Sequence, residues 1–201
     1  MIYETLQIIC EQLDQYLSVY GLNKLVKLEN IALLETSGEN TEKLNGKVIV
    51  SLINLEEEKT LRNLPNYKVV NKQHTEYKNP PVHLNLYVLI CANCNTYVNS
   101  LRSISKTIEF FQGKSTFTSE NTVFTTKADF EPLNSFKLIV NLYTPSFEEL
   151  NHIWGTLGGR QIPSVIYQIQ LLEIERKDPP VSGPVILEIN NELTHKEKSK
   201  N

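Results

Sequence analysis

Apolar residues near the start of the chain recur at steps of three and four, which is the spacing of one face of a helix. The stripe consists of Ile2, Leu6, Ile9, Leu13, Leu17 and Tyr20. Gly21 follows it directly, and glycine commonly ends a helix because it adopts the left-handed conformation of the C-terminal cap. The pattern therefore predicts an amphipathic helix that ends at Gly21.

Two strand-like runs follow this helix. KLENIALLE, residues 27–35, is mostly apolar, and so is KVIVSLINL, which spans Lys47 to Leu55. The segment between them, TSGENTEKLNG, contains the glycine, asparagine and serine that are typical of turns. We therefore expect the two runs to form an antiparallel hairpin.

A polar segment at about residues 57–81 has little apolar patterning and ends at Pro80 and Pro81. The string YKVV within it is compatible with a short strand. A polar segment of this length is either a solvated loop or an arm that reaches a partner. We expect a protruding arm here, with the solvated loop as the alternative.

The second half of the chain alternates strands with helices. Val82 to Ala92 is the most strand-like run, and FKLIVNLY (136–143) and SVIYQIQLLEIE (164–175) predict two further strands. A second helix is predicted after the first of these strands, with Asn95 as its N-cap and Gly113 as its stop. Its apolar residues at helical spacing are Val98, Leu101, Ile104, Ile108 and Phe111.

A short helix is predicted between the last two strands. Ser146 and Glu149 have the spacing of a capping box, in which the serine hydroxyl and the carboxylate each accept a backbone N–H. Its predicted buried face consists of Leu150, Ile153, Trp154 and Leu157. Gly158 and Gly159 follow at the negative end of the helix dipole, whereas an anion site needs the amides of a helix N-terminus. The two glycines therefore predict a C-cap, and Arg160 after them is suited to the last carbonyls or to a partner's carboxylate.

The predicted order is α-β-β-arm-β-α-β-α-β. Helices interspersed with strands, together with an early hairpin, indicate an α/β (α+β) domain at residues 1–177. We expect a single layer domain with a mixed, largely antiparallel sheet flanked by helices. Residues 178–201 are rich in Asn, Lys and Glu, which predicts a C-terminal tail that is partly disordered.

Composition and net charge narrow the classes of partner and the cellular compartment that are expected for the chain. The chain has 201 residues, 40% of them hydrophobic, which suits one buried core. A net charge of −3 gives no general attraction to nucleic acid or to an anionic membrane, so neither is expected as a partner. No apolar run approaches the roughly 20 residues of a membrane span, and no signal peptide is visible. Three cysteines do not form a disulfide framework, which favours synthesis in a reducing cytoplasm.

Cys91 and Cys94 are the strongest candidates for chemistry. They form a C-x-x-C pair at a strand end before a helix, where thioredoxin-like proteins place a nucleophilic thiolate and a resolving thiol. Strand alternation extends through Cys91, however, so two small packing residues are the simpler interpretation. The four histidines, at 74, 83, 152 and 195, show no paired metal-ligand spacing. No catalytic residue, cofactor or metal is predicted.

Several strings, taken in order, resemble one protein family. They are EEEKTLRN (56–63), NPPVHLNLYVLICAN (79–93), FFQGKSTFTSEN (110–121) and SFEELNHIWGTLGGRQIPSVIYQIQLLEI (146–174). Together with the N-terminal helix they resemble the N-terminal domain of the tail-terminator, or cap, proteins of phage-tail-like extracellular contractile injection systems. The first and last strings are the most specific.

The resemblance implies a structural protein without enzymatic activity. Terminators of this kind close the end of the inner tube and contractile sheath as a homohexameric ring. The implied partners are further copies of the chain and the sheath and inner-tube proteins. The implied location is cytoplasmic during assembly, within a particle that is released or acts extracellularly.

Candidate contact residues follow from combining the arm with this resemblance. They are Arg62, Asn63, Tyr67 and Lys68 in the arm and Arg160 in the glycine turn. Two alternatives stay open at this point. One is a thioredoxin-like thiol–disulfide oxidoreductase that uses Cys91 and Cys94, and the other is an adaptor of the same fold elsewhere in the particle, such as its baseplate.

Overall fold

The structure of the protein is a computed structural model. It describes residues 1–22, 25–35, 42, 44–58, 67–71, 74–77, 81–125, 136–174 and 181–184. Six of the described strands form the sheet at its centre. The helices with described bounds are α1 (Ile2–Val19), a 3-10 helix (Ile31–Glu35), α2 (Tyr97–Gly113) and α3 (Phe147–Thr156). The first five strands are β1 (Val26–Leu28), β2 (Lys47–Glu57), β3 (Tyr67–Asn71), β4 (His74–Tyr77) and β5 (Val82–Asn93). The remaining strands are β6 (Thr116–Thr118), β7 (Lys137–Tyr143), β8 (Ser164–Ile174) and β9 (Val181–Pro184).

The larger sheet has the strand order β1-β2-β5-β8-β7-β6. β1 and β2 are parallel, and the other neighbouring strands are antiparallel. Helices pack on both of its faces. The predicted fold class, a mixed and largely antiparallel sheet flanked by helices, is confirmed.

The two faces of the sheet support separate hydrophobic clusters, and β5 contributes to both. Leu86, Val88 and Ile90 point to a cluster with α1 and α2. Leu89 and Cys91 point to the opposite cluster, with the 3-10 helix and α3. Successive side chains of a strand alternate between faces. A strand that is buried on both sides is therefore a continuous apolar run, as β5 is from Leu86 to Ala92.

A second, three-stranded sheet has the order β3-β4-β9. β3 and β4 lie within the predicted arm and pair antiparallel, with Tyr67 opposite Tyr77. β9 lies within the predicted tail and pairs antiparallel with β4, placing Val181 opposite Tyr77. The other residues of the tail, and much of the arm, lie outside the described residues. The domain boundary at residue 177 stays a prediction.

The predicted hairpin between residues 27–35 and 47–55 is wrong. The strand covers only Val26–Leu28 and runs parallel to β2. Asn30 ends it, because its side-chain oxygen accepts the N–H of Ala32 at 3.1 Å and starts a tight turn. The N–H of Ile31 then bonds to the buried Ser51 hydroxyl at 3.3 Å, and the apolar run continues as a 3-10 helix.

α2 begins one residue later than predicted. Its N-cap is Thr96, whose hydroxyl accepts the N–H of Asn99 at 3.3 Å, and not Asn95. Both residue types cap helices well, so the sequence alone does not separate adjacent candidates. The predicted stop at Gly113 is confirmed.

The apolar stripe of α2 is only partly buried. Phe111 is in the core, but Val98, Leu101 and Ile108 are exposed. Small polar residues face the sheet instead, namely Ser100, Ser103 and Thr107. Helical spacing was therefore recognisable in the sequence, but the face that this helix buries was not.

Leu13 provides a test of the core on the α1 side, where its side chain is fully buried. We expect Leu13→Ala to lower the free energy of unfolding by about 2–5 kcal/mol, because it removes buried methyl groups and leaves a cavity. Val19→Ala, at an exposed position of the same helix, is the matched control and should change it by less than about 0.5 kcal/mol. Urea denaturation measures both, and equal effects would contradict this packing.

Candidate functional site

The predicted contact residues fall in two places. Arg62 and Asn63 lie outside the described residues. Tyr67 and Lys68 are adjacent on β3, opposite Tyr77 and Glu76 of β4. Arg160 lies elsewhere, in the exposed turn between α3 and β8. Their role as contacts stays a prediction.

The glycine turn before Arg160 has the geometry of a helix C-cap. Gly158 and Gly159 have positive φ angles of 111° and 82°. The N–H of Gly159 bonds back to the carbonyl of Trp154 at 2.6 Å, which is the pattern of a Schellman motif. These carbonyls are the negative end of α3, so the turn is a helix stop and not an anion cradle. The sequence-based interpretation of this turn is confirmed.

Cys91 and Cys94 do not have the setting of a redox pair. Cys91 is fully buried within β5, and burial raises the pKa of its thiol well above the ordinary value. Cys94 is half-buried beyond the strand end, with its Sγ 3.6 Å from the Ser103 hydroxyl. A nucleophilic thiol needs the opposite environment, one that stabilises the thiolate. Cys91 therefore packs on the α3 side of the sheet, whereas Cys94 packs against α2 on the other side.

An open groove of about 610 Å³ lies on the α3 side of the larger sheet. Tyr87 of β5 and Tyr143 of β7 meet edge to face in it, with ring centroids 5.2 Å apart. The Tyr87 hydroxyl donates to a Glu56 carboxylate oxygen at 2.8 Å and accepts from the Gln168 amide at 3.1 Å. Two tyrosines and two carboxylates, Glu56 and Glu149, thus give this surface acidic, hydrogen-bonding character.

Electrostatics keep these groups in their ordinary charge states. The hydrogen bond to Glu56, followed by burial, raises the pKa of Tyr87 to about 12. Hydrogen bonds from the Ser146 backbone and side chain, and then from Tyr143, lower the pKa of the Glu149 carboxyl. At neutral pH the tyrosines are neutral donors and Glu149 is a charged acceptor. This arrangement suits recognition of a polar surface better than proton transfer.

Glu149 also closes the N-terminus of α3. Its Oε2 accepts the N–H of Ser146 at 2.7 Å, and the Ser146 hydroxyl accepts the N–H of Glu149 at 3.2 Å. The predicted capping box is therefore confirmed. It stabilises the first turn of α3, which begins with the exposed Phe147.

The described residues contain no group of three or more potential ligands that could hold a metal ion. Among the described helices, none combines the length and the apolar character of a membrane span.

Sequence reasoning missed the tyrosine groove and the exposed face of α2. The groove is formed by β2, β5, β7 and α3, which are distant in the sequence, so no local motif predicts it. For α2 a signal was present, because Ser100, Ser103 and Thr107 also recur at helical spacing. Only contact with the sheet decides which of the two stripes is buried.

Alkylation rates test the cysteine environments. We expect the half-buried Cys94 to react with iodoacetamide in the folded protein, whereas Cys91 reacts only after unfolding. Mass spectrometry of the labelled peptides measures both rates, with the urea-unfolded protein as the control. Fast labelling of Cys91 at neutral pH would restore the oxidoreductase interpretation.

Removing the capping box of α3 tests how much Ser146 and Glu149 stabilise the fold. We expect Ser146→Ala to lower the free energy of unfolding by about 0.5–2 kcal/mol. Because folding lowers the pKa of Glu149, its contribution is complete above the unfolded-state pKa of about 4.3 and is lost as pH falls through the folded-state value. Glu149→Gln should remove that pH dependence, measured by urea denaturation between neutral and acidic pH. Glu148→Gln, which leaves the cap intact, should retain it, and equal behaviour of the two variants would contradict the assignment.

Two solved structures share this fold. One is the sheath/tube terminator of an extracellular contractile injection system, PVC, in its extended state, with 13% identity and a TM-score of 0.52. It is matched over 96% of this chain and 64% of its own. The other is the anti-feeding prophage cap, described as the AFP tube terminating cap, with 12% identity and a TM-score of 0.51. That match covers 92% of this chain and 59% of the cap protein.

The chain thus spans about three fifths of the length of these structural relatives. At such low identity the similarity concerns the fold. No curated protein matches the sequence.

The family itself is shown by the sequence. The sequence model of the Pvc16 N-terminal domain matches residues 4–188, from α1 to just beyond β9. This match includes both sheets and all three described α-helices. The chain therefore belongs to the Pvc16 N-terminal domain family.

Proposed function

We propose that this protein is a structural tail terminator, or cap, which closes the end of the inner tube and sheath of a contractile injection system. The observation that carries the proposal is that both structural relatives, matched over nearly the whole chain, are terminators. Membership of the Pvc16 N-terminal domain family agrees with it. The alternative thiol–disulfide oxidoreductase has no comparable support, because the Cys91 thiol is buried and its pKa is raised.

The cap works as a homohexameric ring. A ring of identical chains requires a heterologous interface, in which one patch of each copy meets a different patch of the next and the rotation closes. The partners are then further copies of the chain within the ring and the last sheath and tube subunits along the axis. The protein acts by binding, without catalysis or a cofactor, and assembles in the cytoplasm into the particle.

The arm and the glycine turn are the proposed contacts to neighbouring subunits or to the sheath. Among the described strands, β3 lies at the edge of its sheet, so its outer backbone groups are placed to add a further strand from a partner. Tyr67 and Lys68 lie on this edge strand, with Arg62 and Asn63 preceding it in the chain. The exposed Arg160 supplies a cation for a partner's carboxylate.

Solution mass tests the ring directly. Light scattering across dilution and salt should give a mass near six times 23.0 kDa at high concentration. A protein that remains monomeric throughout would restrict the ring to assembly on the tail. Mixing with purified tube and sheath proteins then shows whether that occurs, and failure to bind either would contradict a cap.

Deleting the arm hairpin tests the proposed contacts. We expect deletion of Asn66 to Lys78, closed with a short Gly-Ser linker, to leave the monomer folded but to abolish ring or particle assembly. Circular dichroism checks the fold and electron microscopy checks the particles. Deletion of residues 191–201, beyond β9, is a control of similar size that should assemble normally. Capped particles of normal length from the hairpin deletion would refute the role of the arm.

Position on the particle separates a cap from an adaptor. A gold-labelled tag on the chain should appear at the end opposite the baseplate. Labelling at the baseplate would instead identify a same-fold adaptor.

A further inference from the structure

The outward face of α2 carries an exposed apolar surface. Tyr97, Val98, Leu101 and Ile108 are 69%, 57%, 44% and 40% exposed, and they follow one another along one side of the helix. Isolated exposed apolar residues are ordinary, but a contiguous patch commonly marks an interaction surface. This patch is therefore a candidate interaction surface.

One hydrogen bond and two buried aromatic side chains hold this face outward. The Ser100 hydroxyl accepts the N–H of Cys94, which precedes α2, at 3.2 Å. Rotating α2 to bury its apolar stripe would break this bond and would expose Phe110 and Phe111. The apolar face is thus a fixed feature of the folded chain.

A groove of about 570 Å³ runs between this face and the C-terminal end of α1. Its apolar lining comes from Leu22, Val98 and Leu101, with Tyr20 at the edge. Lys106 also lines it but is held 2.6 Å from Glu109 and 4.0 Å from the centre of the Tyr20 ring.

Arg102 is the cation of this groove that is free to bind a partner. It is exposed, and within the described part of the chain it has no ion-pair partner. The groove is therefore apolar with a positive rim.

A matching knob stands on the opposite side of the sheet. Phe147, the first residue of α3, is 92% exposed, and the side chain of Glu148 next to it is 86% exposed. Glu149 is engaged in the capping box, and His152 lies 3.9 Å from Glu148. The knob is therefore an aromatic ring with an acidic neighbour, held on a rigid helical turn. Such preorganisation lowers the entropic cost of binding.

We propose that Phe147 of one copy inserts into the α1–α2 groove of the next copy, with Glu148 facing Arg102. The apolar ring matches the apolar lining, and the acid matches the positive rim, so knob and groove are complementary in both respects. This inference rests on the proposed ring and assigns it an interface.

The positions of knob and groove favour contact between copies over contact within one chain. α2 packs on one face of the larger sheet and α3 on the other, so the sheet separates the two patches. Two different patches on opposite faces give a head-to-tail contact, which forms a ring when the rotation from one copy to the next closes.

Crosslinking between differently marked copies tests this contact. One variant carries Asn99→Cys beside the groove, and another carries Asn151→Cys one turn after Phe147; both also carry Cys94→Ser, so that the remaining cysteines, Cys10 and Cys91, are buried. With a short bis-maleimide, the mixture should give a covalent dimer, whereas each variant alone should stay monomeric. Replacing Asn99→Cys with Val123→Cys, at an exposed loop position, is the control and should give no dimer.

Substitutions in the knob and at the rim provide an independent readout. Phe147→Ala should weaken self-association by about thirtyfold, as expected for a central aromatic anchor, whereas Val123→Ala should leave it unchanged. Arg102→Glu or Glu148→Lys alone should also weaken it, and the double variant should recover a large part of the loss. Light scattering across a dilution series measures the self-association constant of each variant.

The outcomes separate this interface from the proposed function. Dimers from a single cysteine variant would indicate a two-fold contact and overturn the proposal. Crosslinks to sheath or tube protein in purified particles, with none between copies, would assign the groove to that partner and also overturn it. A hexameric mass without the mixed crosslink would retain the ring but place its interface elsewhere.

Discussion

Burial of β5 on both faces is the constraint on which the rest of the structure depends. Its alternate side chains supply two separate cores, one beneath α1 and α2 and one beneath α3 and the 3-10 helix. Its backbone also pairs with β2 on one side and β8 on the other. A strand in this position is apolar where both of its faces are covered, which in β5 is the run from Leu86 to Ala92. This requirement accounts for the burial of Cys91, which serves as a small apolar side chain.

The two-sided sheet also gives the molecule two chemically different outer surfaces. One side presents the exposed apolar face of α2 with Arg102 at its rim, and the other presents Phe147 and Glu148 beside the tyrosine groove. Polarity of this kind, from one face of a sheet to the other, suits a subunit that repeats head to tail. A protein that works by assembly needs such surfaces more than it needs an enclosed cavity.

The polar arm shows how distant segments acquire structure together. β3 and β4 have weak strand patterning of their own, and β4 is completed by β9, which follows it by about a hundred residues in the chain. Strand preference depends strongly on tertiary context, so the local sequence of such strands shows only a weak strand pattern. The apolar run at residues 27–35 was predicted as one strand, but contacts beyond the run also decide its structure. The Asn30 side chain and the Ser51 hydroxyl bind backbone N–H groups there, and the run continues as a 3-10 helix.

The sequence by itself determined the features that depend on neighbouring residues: the extent of α1, the capping box at Ser146, the helix stop at Gly158 and Gly159, and the long apolar strand β5. Its ordered strings also indicated the family that the match over residues 4–188 then established. Tertiary structure alone decided the parallel placement of β1, the pairing of the arm with β9, and which stripe of α2 faces the sheet. The physical reason is that local periodicity and capping are short-range, whereas the burial of one helix face depends on what the rest of the chain places against it.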